Sequence, residues 1–408
     1  MSDIQSLGLV ETAWPRSARI FMDMLLYADR GHLTLTVPGG HSMLFGQARQ
    51  EPAADLVVHD WRAIDAMLDR GDMGFAEAIR QGWLDSSDMT RVMRFALQNE
   101  SALKRALIGQ GFMRLIYLML HRFRANTRKG SRRNIEAHYD LGNTFYQVWL
   151  DHSWSYSSAL FEGNMQRTLE QAQWHKYQRI INKLHLMPGM HVLEIGCGWG
   201  GFAEHVALQG IHVHGITLSI QQLEWAKARI KAAGLSHLVE LELCDYRDVQ
   251  GRWDAVVSIE MFEAVGEAYW ETYMNKVRQV LKPGAQALIQ TITIDEDRFA
   301  SYRRSSDFIR HYIFPGGMLP SLPRFSAVAA RSGLLTRDVL AFGKDYAETL
   351  RRWRDAFEVG LPEIRLQGFD DVFIRTWSLY LSYCEAGFEE NRIDVVQVLL
   401  EAMPEGRS

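Results

Sequence analysis

A mostly parallel α/β sheet, preceded by a smaller α+β domain, is the fold predicted for this chain of 408 residues. Three observations carry that expectation. Val192-Leu193-Glu194-Ile195 is a short apolar run with one acid, the pattern of a strand buried on both faces. Glycines at 196, 198, 200 and 201 then turn the chain into a helix beginning near Phe202, so backbone N–H groups there can approach a ligand closely. Upstream, by contrast, the period is two: Leu33, Leu35 and Val37 alternate with polar residues, and Pro38-Gly39-Gly40 closes a hairpin.

Taken in order, residues 1–31 read as helix, with Ile20, Phe21, Met24 and Leu25 on one face. The hairpin of 32–46 follows, then a strand over 55–60 and a helix over 61–70. Two short helices between 72 and 99 break near Gly82-Trp83-Leu84-Asp85. Residues 1–100 thus form the small α+β domain. Residues 101–133 are a basic amphipathic linker, and 134–408 are the larger α/β domain. Within it strands are expected near 190–195, 211–216, 238–243, 254–258, 286–293, 335–341 and 394–400, with helices between most of them. An aromatic-rich insertion over 294–334 follows a strand's C-terminal end, where open α/β sheets bind ligands.

Composition narrows the setting. A net charge of −4 gives no general attraction to nucleic acid, so an anionic partner must be met by a local patch. Cys197, Cys244 and Cys384 are scattered without metal-ligand spacing, which implies a reducing compartment and no metal. No signal peptide and no membrane-spanning run is read, so a cytoplasmic protein is expected. The one unusual charge distribution is Ser101–Arg133, with nine Lys or Arg and no acid. Its readings are a linker helix with a solvated basic end, or a segment that binds an anionic bilayer. Nucleic acid is disfavoured for want of a companion motif.

Gly196, Gly198 and Gly201 also satisfy the dinucleotide pattern G-x-G-x-x-G. A nicotinamide enzyme should carry an acid at the end of the next strand, yet His212–Ile216 runs into Thr217-Leu218-Ser219. The useful acid ends the third strand, at Asp245 beside Tyr246, which suits the amine edge and ring face of adenine. The pattern therefore resembles a class I S-adenosylmethionine methyltransferase with its Rossmann-like sheet. Further stretches narrow the resemblance: His138-Tyr139-Asp140-Leu141-Gly142-Asn143, Tyr156-Ser157, Met261-Phe262-Glu263-Ala264-Val265-Gly266, Tyr312–Gly317 and Phe342-Gly343-Lys344-Asp345-Tyr346. Together they resemble the bacterial cyclopropane fatty acyl phospholipid synthases and the related mycolic acid cyclopropane synthases, over essentially the whole chain.

That resemblance implies transfer of a methyl carbon from S-adenosylmethionine to a cis double bond of an acyl chain in membrane phospholipid. Deprotonation and ring closure follow, with bicarbonate as the base. It implies Tyr156 and Ser157 at the methionine end of the cofactor, and Gly196, Gly198 and Gly200 as the glycine loop. Thr217, Leu218 and Gln222 fall on the ribose side, with Tyr246 and Ile259 bracketing adenine. For the bicarbonate site it implies Glu263, the Ile292 backbone and Tyr346. Ser158 and Gln290 stand where the family usually has Cys and His, and neither supplies imidazolium charge. The alternative product is therefore a methyl-branched or methyl-olefinic chain without a ring. Cys384 matches a family cysteine, read as packing near the acyl pocket or, less in keeping with the mechanism, as a thiolate. Glu260 and Glu263 suggest either a paired acid and base or two residues sharing a helix face, and only Glu263 matches the site motif. The expected setting is the inner face of the membrane, bound peripherally, with unsaturated phospholipid as substrate and room for a homodimer.

Overall fold

The computed structural model describes residues 14–107, 141–304 and 307–403, in two compact units. The first comprises residues up to 122 together with 368–390. Its sheet has the order β2-β1-β3-β4, from β1 (His32–Thr36), β2 (Ser42–Gly46), β3 (Ala53–Val58) and β4 (Leu84–Asp85). β1 and β2 form the expected hairpin, and β3 joins β1 in parallel. The first helix, Arg16–Leu25, buries Ala18, Phe21, Met22 and Leu25, so its inner face lies roughly a quarter of a turn from the one read from the sequence.

The helix Asp371–Glu389 packs within this unit against the helices Asp72–Arg80 and Met89–Gln98. Thr90 donates to Glu385 at 3.1 Å, and Arg94 pairs with Glu390 at 2.7 Å. The expected span of 134–408 is thus interrupted by a segment that groups with the N-terminal residues. A long amphipathic helix does not declare in its own sequence which core it joins. Most of the basic run and the His138-Tyr139-Asp140 motif lie outside the described residues.

The second unit is built on seven strands: β5 (His191–Ile195), β6 (His212–Thr217), β7 (Val239–Leu243), β8 (Trp253–Ile259), β9 (Leu281–Ile294), β10 (Leu334–Ala341) and β11 (Ile393–Ala402). All seven fall where the sequence places them. Their order is β10-β11-β9-β8-β5-β6-β7, and β11 runs antiparallel between β9 and β10. The pleat sends alternate residues of β5 to opposite faces. Val192 joins one apolar layer with Phe202, Val213 and Leu241, while Leu193 and Ile195 join the other with Val256, Tyr273 and Phe325. Burial on both faces is why β5 is a continuous apolar run.

β5 pairs with both β6 and β8, so the strand order reverses at its C-terminal end. A crevice opens there between the diverging connections, the position at which open α/β sheets take their ligands.

Candidate active site

The glycine turn after β5, the ends of β6 and β8, and the loop 154–157 enclose a cleft at that reversal. Tyr156, Ser157, Gly196, Gly198, Thr217, Leu218, Gln222, Tyr246 and Ile259 all line it. Gly200 shapes the turn instead. Its φ of +81° caps the helix Gly201–Ala207 in the left-handed region, and a Cβ on the neighbouring Gly201 would lie 2.5 Å from the Ser153 carbonyl oxygen. Tyr156 is held by ring contacts to Tyr146, Trp149 and Trp353 at 5.4–5.6 Å. Thr217 donates to the Gln222 side chain at 3.2 Å, tying the end of β6 to the helix Ile220–Ala232.

Asp245 is engaged by a near neighbour in the chain. Its carboxylate accepts from the Arg247 guanidinium at 2.6 and 2.8 Å and from the Arg247 N–H at 3.0 Å. An arginine two residues away satisfies it locally, and its neighbours Cys244 and Tyr246 line the cleft while Asp245 does not.

Glu194, the acid within β5, is buried at the cleft and its Oε2 has no hydrogen-bond partner. Burial lifts its carboxyl to about 8, opposed by the charge of Lys176. A buried carboxylate oxygen without a donor is unfavourable until a bound group supplies one. S-adenosylmethionine carries an ammonium, ribose hydroxyls and a positive sulfonium. The aromatic walls, the glycine backbone and the unmatched Glu194 fit that group.

The second cluster lies deeper, between β8 and β9. Glu260 lines the cleft and is the centre of the cluster. Its Oε1 accepts from Gln290 Nε2 at 2.7 Å and from the Ser158 backbone N–H at 2.8 Å, and its Oε2 accepts from the Tyr346 hydroxyl at 2.7 Å. Burial raises the Glu260 carboxyl, and the Tyr346 hydrogen bond, the Lys176 charge, and the Ser158 and Gln290 donors pull it back. Glu263 accepts from the Ile292 N–H, while its Oε2 is buried without a partner. Burial, and then the charge of Glu260, push Glu263 up to about 8. Lys176 is fully buried, donates to Ser157 Oγ at 2.7 Å and Gln173 Oε1 at 2.6 Å, and is pulled down to about 7 by burial.

Ser158, Gln290, Ile292, Glu263 and Tyr346 are thus brought together as the sequence expects, but around a residue that the sequence reading set aside. The view that Glu260 simply shares a helix face with Glu263 is corrected. Glu260 precedes the short 3₁₀ turn Phe262–Ala264 in a left-handed conformation, which aims both carboxylates at β9. The Ser158 hydroxyl donates to the Ala159 carbonyl at 2.9 Å, so this residue serves the site through its N–H. Cys384 lies on the helix Asp371–Glu389 of the first unit. A signal for Glu260 existed: an acid at the C-terminal end of the strand beside β5. Lys176 gave none, because a lysine in an amphipathic helix reads as exposed. Among the described residues no cluster of His, Cys, Asp and Glu suits a metal, and no helix is long and apolar enough to cross a membrane.

Each donor expected for bicarbonate already has an acceptor: Tyr346, Gln290 and the Ser158 N–H have Glu260, and the Ile292 N–H has Glu263. A second anion would also face the Glu260 carboxylate. The residues present do not fit bicarbonate.

Comparison with known proteins agrees with the geometry. Residues 126–398 match the family model of mycolic acid cyclopropane synthetase. Tuberculostearic acid methyltransferase UfaA1 of Mycobacterium tuberculosis is 34% identical over 426 residues, 97% of each chain. Cyclopropane-fatty-acyl-phospholipid synthase of Escherichia coli K12 is 33% identical over 85% of this chain and 87% of its own. The structure of mycolic acid cyclopropane synthase CmaA1 complexed with SAH and CTAB superposes with a TM-score of 0.62 at 29% identity, covering 66% of this chain and 98% of that one.

Proposed function

Because this chain belongs to the mycolic acid cyclopropane synthetase family, we propose that it transfers a methyl carbon from S-adenosylmethionine to the cis double bond of an acyl chain in membrane phospholipid. The chain is an S-adenosylmethionine-dependent methyltransferase of the cyclopropane synthase type. The lipid, its double bond and the fate of the resulting cation are the proposal.

When bound, S-adenosylmethionine supplies an electrophilic methyl carbon that the π electrons of an alkene can take, leaving the acyl chain with a positive centre. The protein's residues position and stabilise. Tyr156, wedged by three rings, and Ser157 over the Lys176 ammonium fix one end of the cleft, and Glu194 meets a cationic group there. Aromatic walls from Trp154, Tyr156 and Trp199 suit a cation and exclude water. The observation that carries the reading is the cleft lining itself, which unites aromatic faces with a hydrogen-bonded carboxylate, Glu260, where positive charge would develop. Loss of a proton from the new methyl and closure of the ring give a cyclopropane.

A second reading is favoured by one finding, the relative matching 97% of the chain that is named a tuberculostearic acid methyltransferase. Here the proton leaves a neighbouring chain carbon and the product is a methyl-olefin. A saturated methyl branch would need a separate hydride donor. Proton NMR of lipids made by the purified enzyme separates the two, because ring protons lie far upfield of vinylic ones. Peripheral binding at an anionic membrane surface, through the basic run of 104–133 and the N-terminal unit, completes the proposal.

A further inference from the structure

We infer that the Glu260 carboxylate is the catalytic base of this protein and takes the place of bicarbonate. The inference rests on the methyl-transfer reading. Three donors converge on Glu260, at 2.7, 2.8 and 2.7 Å, and they come from Gln290, Ser158 and Tyr346. These are the residues whose counterparts would cradle a free anion. In this chain the anion is a side chain, anchored to the backbone and still lining the cleft.

Two independent features support the assignment. The first is backbone conformation. Glu260 has a φ of +50°, a region that glycine occupies freely and a side chain rarely does. Its N–H still donates to the Gln290 carbonyl at 2.8 Å, so the strand pairing holds it there. An acid kept in an unfavourable conformation, half-buried and hydrogen-bonded through both oxygens, points to function. The second is the polarity of Gln290. Gln397 Nε2, its partner across the β9–β11 ladder, donates to Gln290 Oε1 at 3.0 Å. Arg179 in turn donates to Gln397 Oε1 and pairs with Asp338 at 3.2 Å. This relay fixes both amides, so the face of Gln290 towards Glu260 is always the donor. A neutral donor fixed in that orientation suits the carboxylate form of Glu260, the form that can accept a proton.

The step balances without a further reagent. A C–H bond of the alkylated acyl chain breaks and its proton passes to a Glu260 oxygen. The electron pair of that bond neutralises the cation, as a ring C–C bond or a C=C bond. Glu260 returns its proton to water when product leaves the cleft.

The test uses the full-length enzyme with vesicles of unsaturated phospholipid, in buffer depleted of carbon dioxide and then with bicarbonate restored. Wild-type turnover is expected to be the same in both. Glu260→Gly opens the anion site and removes the positive-φ side chain. It should lose roughly 100-fold or more in turnover, the usual worth of a general base, and regain part of it with added bicarbonate. Carbon-13 NMR of labelled bicarbonate should show binding to Glu260→Gly and none to wild type, a readout independent of turnover. Glu260→Gln keeps the shape and should stay inactive with or without bicarbonate. Thermal denaturation and binding of S-adenosylhomocysteine confirm that both variants fold. An active wild type that stops when bicarbonate is removed overturns the inference, as does full activity of Glu260→Gly in depleted buffer. Wild type that never methylates lipid sinks the proposed function instead, so the two failures are distinct.

Discussion

Removing the Tyr346 hydroxyl should move the pH dependence of catalysis in a direction the structure sets. Tyr346→Phe deletes one hydrogen bond, 2.7 Å long, to Glu260 Oε2 and keeps a ring beside Trp353. A hydrogen bond to a charged group is worth ~1.5–3 kcal/mol. Its loss removes the largest interaction that holds the Glu260 carboxyl down, so the carboxyl rises. The sign follows from which form is bonded: the hydroxyl stabilises the carboxylate, so without it the proton is held to higher pH. The groups around Glu260 are Glu263, pushed to about 8, and Lys176, pulled to about 7, so the ascending limb belongs to the coupled set. The assay is kcat/KM against pH at fixed ionic strength, on vesicles of one unsaturated phospholipid. The limb should shift to higher pH in Tyr346→Phe. A limb that stays with the wild type's, or moves to lower pH, would refute the role given to Glu260.

Four further outcomes are expected. Glu194→Gln should weaken S-adenosylmethionine binding by roughly 1.5–3 kcal/mol in calorimetry, as a charged acceptor becomes neutral. The same variant without ligand should melt no lower than wild type at pH 8. Burial raises this carboxyl from 4.5 to about 8, so its contribution is full below 4.5 and is lost as pH rises through 8, a loss that glutamine escapes. Gly201→Ala should lower stability by about 1–3 kcal/mol in chemical denaturation, because its Cβ would meet the Ser153 carbonyl oxygen at 2.5 Å. Replacing Arg128, Lys129, Arg132 and Arg133 by Gln should weaken binding to anionic vesicles by ~1 kcal/mol per charge, most at low salt. Unchanged sedimentation with vesicles would show the run to be only a linker.

Local patterns carried most of the fold. Val192–Ile195 could be read as a doubly buried strand because both of its faces are apolar, and Leu33, Leu35 and Val37 marked a hairpin through their alternation. The cofactor cleft was legible for the same reason: its parts are short contiguous stretches at strand ends. What the sequence hid is non-local. The helix Asp371–Glu389 joins the first unit through Thr90 and Arg94, far away in the chain. Asp245 is captured by Arg247, a choice the motif leaves open. Glu260 looked like a helix-face neighbour of Glu263 until the left-handed turn at 260 brought it against Tyr346, 86 residues on. In the sequence alone, Ser158 and Gln290 read as departures from an anion site. They are better understood as the consequence of a side-chain carboxylate filling it.

The most direct test of the whole account is mass spectrometry of membrane lipids from a host lacking its own synthase, fed methionine labelled in its methyl group. With this protein present, unsaturated phospholipid chains should gain one labelled carbon, at the expense of the mono-unsaturated parent, and Glu260→Gln should abolish the gain. Unlabelled chains in cells that contain folded protein able to bind S-adenosylmethionine would contradict it.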